Sequence, residues 1–527
     1  MPKLVILSLL LAPVLVGSSI SQIAVPDIPD PELTAAYEQA AVKNVMAAVN
    51  PAVFPGYWSV CADGQGFGYG NTYPSLDGHQ ITDALLWLGQ IDVVRANWDY
   101  VQSFQRHDGL LPLAILPSLA GKQIGEENAL GSVADNGGLY EHWIPGNPLG
   151  ALASPTYIQN ADVIFRHTLD RAWLSTKLPS INLSADYLIT LTTAQGSVKG
   201  GGYYIERPAR IESDGVTQCY AIDALRRVAA LNRVVGNDTA ALRYERWADR
   251  IRHNFVTSFW IKDHFAEYYH PQRGLIDNHG MTDVDWAAIA TGVATDEQQS
   301  LLWPQLRDEE RFHYGGMPTG ISTRPETYED WEFTHPDRHD LAAMGRVWYL
   351  EAWARARMGD AQGLLNGLRK VSQVGRANGY FWFERYQPDE KDGVRSAGPN
   401  TYCEYPANLI RIVQEFLLGV NLQLDGSVVL APTMTKEFWE QGFGQTLTWR
   451  DCSIRYTMKH DRIEGTYAGR TPLRLGVWLP TLADATEIHA TIDGHSASPV
   501  QEEGKIFIML PASRGEVLCR FEILLLR

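Results

Sequence analysis

Two stretches of the chain place acids where acids can do chemistry. The first is "GGGYYIERPARIESDGVTQCYAIDALRR" (200–227), in which Glu206, Glu212 and Asp214 crowd the approach to a helix pattern opening near Gly215. Two tyrosines, one of them Tyr204, stand just upstream. A carboxyl group close to other carboxylates and shielded by rings is pushed towards its protonated form. A general acid working near neutral pH needs that shift. Asp214 also fits the N-cap of the coming helix, and Glu206 has Arg207 and Arg210 within reach as ion-pair partners. Glu212 has no comparable structural occupation. It is the leading acid, with Glu206 and Asp214 behind it.

The second stretch is "NTYCEYPANLIRIVQEFLLGV" (400–420). Pro406 suits the first turn of a helix, where no backbone donor is lost. Glu404 therefore stands at a helix N-terminus, whose partial positive charge favours the ionised form. An ionised carboxylate can act as a general base. It can also merely compensate the helix dipole, but a solvated capping acid needs no aromatic walls, and Tyr402 and Tyr405 flank this one. Two carboxylates on opposite sides of a scissile bond are the minimum machinery for glycoside hydrolysis.

Other loops read as substrate walls. "NTYPSLDGHQITDALLW" (71–87) offers Tyr73, Asp77, His79 and Gln80. "NGGLYEHWIPGNP" (136–148) offers His142 and Trp143. "GGMPTGISTRPETYEDWEFTHPDRHD" (315–340) offers Arg324, Glu329 and Trp331. With Tyr204 and Tyr402 these form the expected binding set, because sugar hydroxyls suit acids, amides, Arg and His over a flat ring. Each could also be ordinary polar lining. His79, His142 and His335 lack HxH or HExxH spacing, so no metal is expected. No G-x-S-x-G marks a serine nucleophile.

These loops need a scaffold. From about 31 to 420 the apolar spacing is helical, with helices expected over 32–49, 80–104, 158–176, 214–235, 238–257, 338–358, 360–374 and 406–419. "DALRRVAALNRVVGNDTAALRYERWADRIRHNF" (223–255) reads as a helical hairpin turning at Gly236-Asn237-Asp238, with Asp238 as N-cap. Gly359-Asp360 repeats the plan. Loops recurring once per hairpin can gather at one end of a barrel. After about 421 the segments "QTLTWR", "CSIRYTMKH" and "RFEILLLR" alternate as strands do. The expected division is a signal peptide at 1–22, a helical barrel at 23–420 and a β-sandwich-like domain at 421–527.

Composition narrows the partners. The 527 residues carry a formal net charge of -16, which disfavours nucleic acid and anionic membrane surfaces. The start, "MPKLVILSLLLAPVLVGSSISQ", has one Lys, a short apolar run and small residues. That is a signal-peptide pattern, too short for a membrane span. A secreted protein, periplasmic or extracellular, is expected. The five cysteines are odd in number and show no CxxC, so zinc is not expected and disulfide pairing stays open.

On these residues the chain resembles the six-hairpin glycosidases, the (α/α)6 toroids that include glucoamylases, trehalases, processing α-glucosidases and α-L-rhamnosidases. "IESDGVTQCYAIDAL" is similar to their mid-barrel acid loop and places Glu212 as proton donor. "YCEYPANL" is similar to the loop before their last barrel helix and places Glu404 as base. The resemblance implies a mainly α fold, an (α/α)6 toroid with a C-terminal β-sandwich, and inverting hydrolysis of a carbohydrate without a cofactor. The chain lacks the Gly-Pro-Asp-Glu-Tyr acid loop of disaccharide phosphorylases and the Trp-Glu-Glu form of glucoamylase, so the sugar is not specified. A polysaccharide lyase on a similar toroid and a non-catalytic carbohydrate binder are the competing readings.

Overall fold

The computed structural model describes residues 23–52, 54–63, 78–111, 150–200, 210, 212–312, 316–318, 320–333, 338, 341–387, 395–513 and 518–526. Residues 1–22, expected to be a signal peptide, lie outside them. Among the described residues no helix is long and apolar enough to cross a membrane.

Among the described residues twelve helices alternate between an outer and an inner layer. They are α1 (Pro31–Gln39), α2 (Gly78–Trp87), α3 (Ile91–Gln102), α4 (Gly150–Thr168), α5 (Arg171–Thr190), α6 (Gly215–Val234), α7 (Asp238–Ser258), α8 (Asp283–Ala290), α9 (Asp296–Leu306), α10 (Gly345–Arg357), α11 (Ala361–Ala377) and α12 (Glu404–Ile412). The even-numbered helices pack each on the next, and α12 returns to α2, so they close a ring. The odd-numbered helices lie outside it, and α1 joins the last hairpin by packing on α11 and α12. The inner helices run in one direction. Between α2 and α12 the side-chain pairs Gln80–Asn408, Asp83–Arg411 and Trp87–Glu415 keep a constant sequence offset of 328, as parallel neighbours must.

Local chemistry explains the breaks. The pattern over 80–104 holds two helices, not one, because Gly89 turns the chain at φ 77°, a backbone state open to glycine. The pattern over 158–176 is likewise split. Leu169 adopts φ 48°, and Asp170 caps α5 by accepting the Trp173 amide at 2.9 Å. The helix expected from 338 begins at Gly345. Asn237, not Asp238, caps α7, whereas Asp360 caps α11 through the Gly363 amide at 3.0 Å as its place in the turn implies. Helices α8 and α9 open with capping boxes at Thr282 and Thr295.

Short strands decorate the end of the ring where the inner helices begin. β1 (Ser213–Asp214) pairs with the hairpin β2 (Tyr268–His270) and β3 (Gly274–Ile276). β4 (Ala343–Met344) pairs with the hairpin β5 (Arg385–Gln387) and β6 (Arg395–Ala397).

After α12 come β7 (Val420–Leu422), β8 (Val428–Leu430), a one-and-a-half-turn helix α13 (Lys436–Gln441), β9 (Phe443–Trp449), β10 (Cys452–Lys459), β11 (Arg462–Ala468), β12 (Leu473–Val477), β13 (Glu487–Ile492), β14 (His495–Ala497), β15 (Val500–Glu502), β16 (Lys505–Leu510) and β17 (Cys519–Leu526). They form a six-stranded sheet, β14-β13-β17-β11-β10-β9, and a five-stranded sheet, β15-β16-β12-β8-β7. Alternation sets their faces: Ile454, Tyr456 and Met458 of β10 are buried, and Arg455 and Thr457 are exposed. The N-terminal segment joins this part, since Asp27 exchanges both backbone hydrogen bonds with Gly444 of β9. All five cysteines are buried.

Candidate active site

Every inner helix starts at the same end of the ring, so that end collects six helix N-termini, each carrying partial positive charge. Carboxylates gather there. Glu404 opens α12 and is 1% exposed. Its Oε1 accepts the backbone N–H of Arg346, in the first turn of α10, and its Oε2 lies 3.8 Å from the Arg346 guanidinium. The approach is close because residue 345 is glycine: a Cβ there would stand 3.0 Å from the Tyr405 nitrogen and 3.1 Å from Glu404 Cγ. Glu404 is thus held by a neighbouring helix start and by a cation.

Asp214 is the N-cap of α6. Its Oδ2 accepts the Thr217 amide at 2.8 Å and the Thr217 hydroxyl at 2.9 Å, and its Oδ1 accepts from Arg210 at 3.0 Å. Burial raises its pKa, against the pull of Arg210. Its oxygens are committed to these partners. Glu212, two residues earlier, keeps a side chain 37% exposed, 3.9 Å from the exposed Lys199 ammonium. Of these two acids, Glu212 is the one exposed to solvent.

Arg210 knits a cluster that sequence spacing does not reveal. Its guanidinium donates to Asp214, to Asp283 at 3.0 and 3.1 Å, and to Glu267. Glu267 also pairs with His279 and accepts the Tyr328 hydroxyl at 3.0 Å. His279 stacks on Tyr328 at 3.6 Å and lies 3.2 Å from Glu332, which accepts the Tyr268 hydroxyl at 2.6 Å. Asp285 accepts the Phe265 and Thr282 amides, and burial pushes it up to about 7. The cluster fixes the strand hairpin β2–β3 against the starts of α6 and α8.

A second late-loop acid, Glu384, stands just before β5. It is 4% exposed and pairs with Arg385 at 2.8 Å. Its signal in the sequence was the aromatic frame "YFWFERY" (380–386), the same acid-among-rings pattern that marks Glu404.

The expected binding residues divide. Tyr402 is buried and bridges Cys61 by backbone pairing beside Glu404. His79 and Gln80 lie in the first turn of α2, where the His79 carbonyl accepts from Asn160 and Gln80 pairs with Asn408. Arg324 is exposed. Trp331 donates to Glu329 at 2.6 Å and carries the Arg273 guanidinium on its face at 4.1 Å, beside the β2–β3 hairpin. Tyr73, Asp77, His142, Trp143, Tyr204, Glu206 and His335 lie outside the described residues. Among the described residues no group of His, Cys, Asp or Glu is arranged to hold a metal ion.

The described residues thus form a closed ring of helices, with acids at the inner-helix starts, followed by two C-terminal β-sheets. A family model described as "Mannosylglycerate hydrolase MGH1-like glycoside hydrolase domain" matches residues 213–405, from β1 to Glu404 and its neighbour. Similar solved structures include a GH78 family rhamnosidase of Bacillus sp. GL1 (TM-score 0.60, 12% identity, 83% of this chain and 40% of that one). An α-L-rhamnosidase from Dictyoglumus thermophilum aligns with TM-score 0.61 and 10% identity, over 95% of this chain and 50% of that one. The Streptomyces avermitilis α-L-rhamnosidase aligns with TM-score 0.58 and 13% identity, over 95% and 42%. The chain therefore spans half or less of the length of these structures. No curated protein sequence matches it.

Proposed function

We propose that the protein is an exported glycosidase that hydrolyses a glycosidic bond of a carbohydrate with inversion. In this reading Glu212 protonates the leaving oxygen and Glu404 takes a proton from water on the opposite face of the ring. Inverting pairs stand roughly 6.5–9.5 Å apart to admit that water. The observation that carries the reading is Glu404: a buried, oriented carboxylate at the inner-helix start that ends the matched glycoside hydrolase domain. Glu384 is the rival for the base, being as buried and on the same loop. Export rests on the apolar leader alone.

The names of the similar proteins suggest two substrates, an α-L-rhamnoside and a hexosyl glycerate. Aryl α-L-rhamnoside, aryl α-D-mannoside and mannosylglycerate are to be offered to the wild type and to Glu212→Gln, Glu384→Gln and Glu404→Gln. Proton NMR of the first-formed sugar reads the anomer. Hydrolysis with inversion, abolished by Glu212→Gln and Glu404→Gln, is the expected result. Loss in Glu384→Gln with survival in Glu404→Gln would move the base to Glu384. Products that absorb in the ultraviolet as unsaturated sugars would replace hydrolysis by lyase chemistry.

A further inference from the structure

The ring encloses a cavity lined mainly by the halves of the inner helices away from Glu212 and Glu404. Its volume is about 520 Å³, within the range of small-molecule sites. Its walls are α2 from His79 to Trp87 and the later turns of α4, α6, α10 and α12, and β7 with Gln423 crosses its base. Its ceiling is polar. Arg411 donates to Asp83 at 3.0 Å and to Asn408 at 3.0 Å, and its guanidinium lies 3.7 Å from the centre of the Tyr349 ring.

Charge inside the cavity is balanced. Arg166 pairs with Asp162 at 2.8 Å. Arg227 pairs with Asp162 at 2.6 Å and Asp223 at 2.7 Å. Arg411 is matched by Asp83 and, at 3.7 Å, by Glu415. These three arginines are matched by acids and are not available as partners for an ionic ligand. What remains is of another kind. Trp87 and Trp353 are half-buried in the wall. Among the described residues Arg226, Asn421 and Gln423 make no side-chain hydrogen bond, yet all line the cavity. His167 joins them, its ring against Trp87 at 4.7 Å. Burial, helped by Arg450, holds this imidazole down to about 3, so it is neutral at ordinary pH.

We propose that this cavity is a binding site for a neutral mono- or disaccharide, distinct from the carboxylates Glu212 and Glu404. Flat indole faces match the apolar face of a sugar ring, and uncommitted amide, guanidinium and imidazole groups match its hydroxyls. The ligand shares the ring's axis with the acid end, across the Asp83–Arg411 ceiling.

The test is calorimetric titration of the intact protein with L-rhamnose, D-mannose and D-glucose, with glucuronate as the charged control. Three variants address the cavity: Trp353→Ala removes a platform, Ala230→Trp fills the space, and Asn421→Ala trims an exposed polar contact that folding does not need. Glu404→Gln reports on the other end. The expected result is binding of a neutral sugar, intact in Glu404→Gln and weakened at least about tenfold (~1.4 kcal/mol) in Trp353→Ala and Ala230→Trp, with a smaller loss in Asn421→Ala. Binding that none of the three variants alters would place the sugar elsewhere and overturn the proposal. So would binding of glucuronate alone, or binding of no sugar by the wild type. Each result stands whether or not the protein hydrolyses glycosides.

Discussion

Replacing Arg210 by Met tests the account of the acid end most directly. The side chain is 0% exposed and is shared by Asp214, Glu267 and Asp283. Methionine roughly keeps the volume and deletes the charge. Three carboxylates are then buried together with their cation gone. Breaking one buried ion pair from one side costs about 3–5 kcal/mol, and this cation serves three acids, so a loss of about 4 kcal/mol or more is expected near neutral pH. Domains are stable by only about 5–15 kcal/mol, so the variant should be marginal. The pH dependence is the sharper signature. With the guanidinium gone, the folded cluster must hold a proton that the unfolded chain releases near pH 4. A group that binds protons more tightly when folded contributes most stability at low pH and loses it as pH rises. The deficit relative to wild type should therefore shrink by about 1.4 kcal/mol per unit on acidification from about pH 8 towards pH 6 for each proton taken up. Urea unfolding followed by tryptophan fluorescence at several pH values measures it. A deficit below about 1 kcal/mol, or one that grows on acidification, would refute the clustered-charge argument.

Three further outcomes are expected. Glu404→Gln should cut hydrolysis by about 10²–10⁴-fold with the unfolding midpoint little changed, as read by steady-state assay and circular dichroism. His167 is held down to about 3 by burial, below its usual value near 6.5. Its contribution is present above pH 6.5 and is lost as pH falls towards 3. Asp83, pushed up by burial to about 6, and Asp285, up to about 7, act with the opposite sign, so His167→Phe should leave a protein whose stability rises on acidification from about pH 7 to pH 4. Gly375→Ala should lower the thermal midpoint, because its Cβ would meet the buried Trp382 ring; overpacking of this kind costs about 1–3 kcal/mol.

Much of the scaffold was legible in the sequence because amphipathic hairpins with Gly–Asp turns announce themselves, as at Gly236 and Gly359. Helix α8 did not: all eight of its residues are buried, so it has no polar face to create a period. Helices α2 and α3 ran together because one apolar rhythm crosses Gly89. The capping role of Asp214 was readable from its place before Gly215. The Arg210 cluster was not, since Glu267 and Asp283 lie 57 and 73 residues away and only the fold brings them in. Acids in aromatic frames were a usable signal, but it favoured Glu404 and passed over Glu384, which carries the same frame.

The ring closes between its first and last helices. Tyr37 of α1 accepts a hydrogen bond from Gln414 just past α12, and Asp30 pairs with Arg369 of α11. The opening helix therefore has no finished neighbour until nearly the whole toroid has been synthesised. During synthesis it must wait as an unpaired amphipathic segment, a state exposed to aggregation and to chaperone capture. The same closure makes the order of hairpins a matter of where the chain happens to be cut. A circular permutant opened at the exposed Gly236 turn would bring the α1 segment out behind the β-strands, after α11 and α12, so that its partners already exist when it emerges.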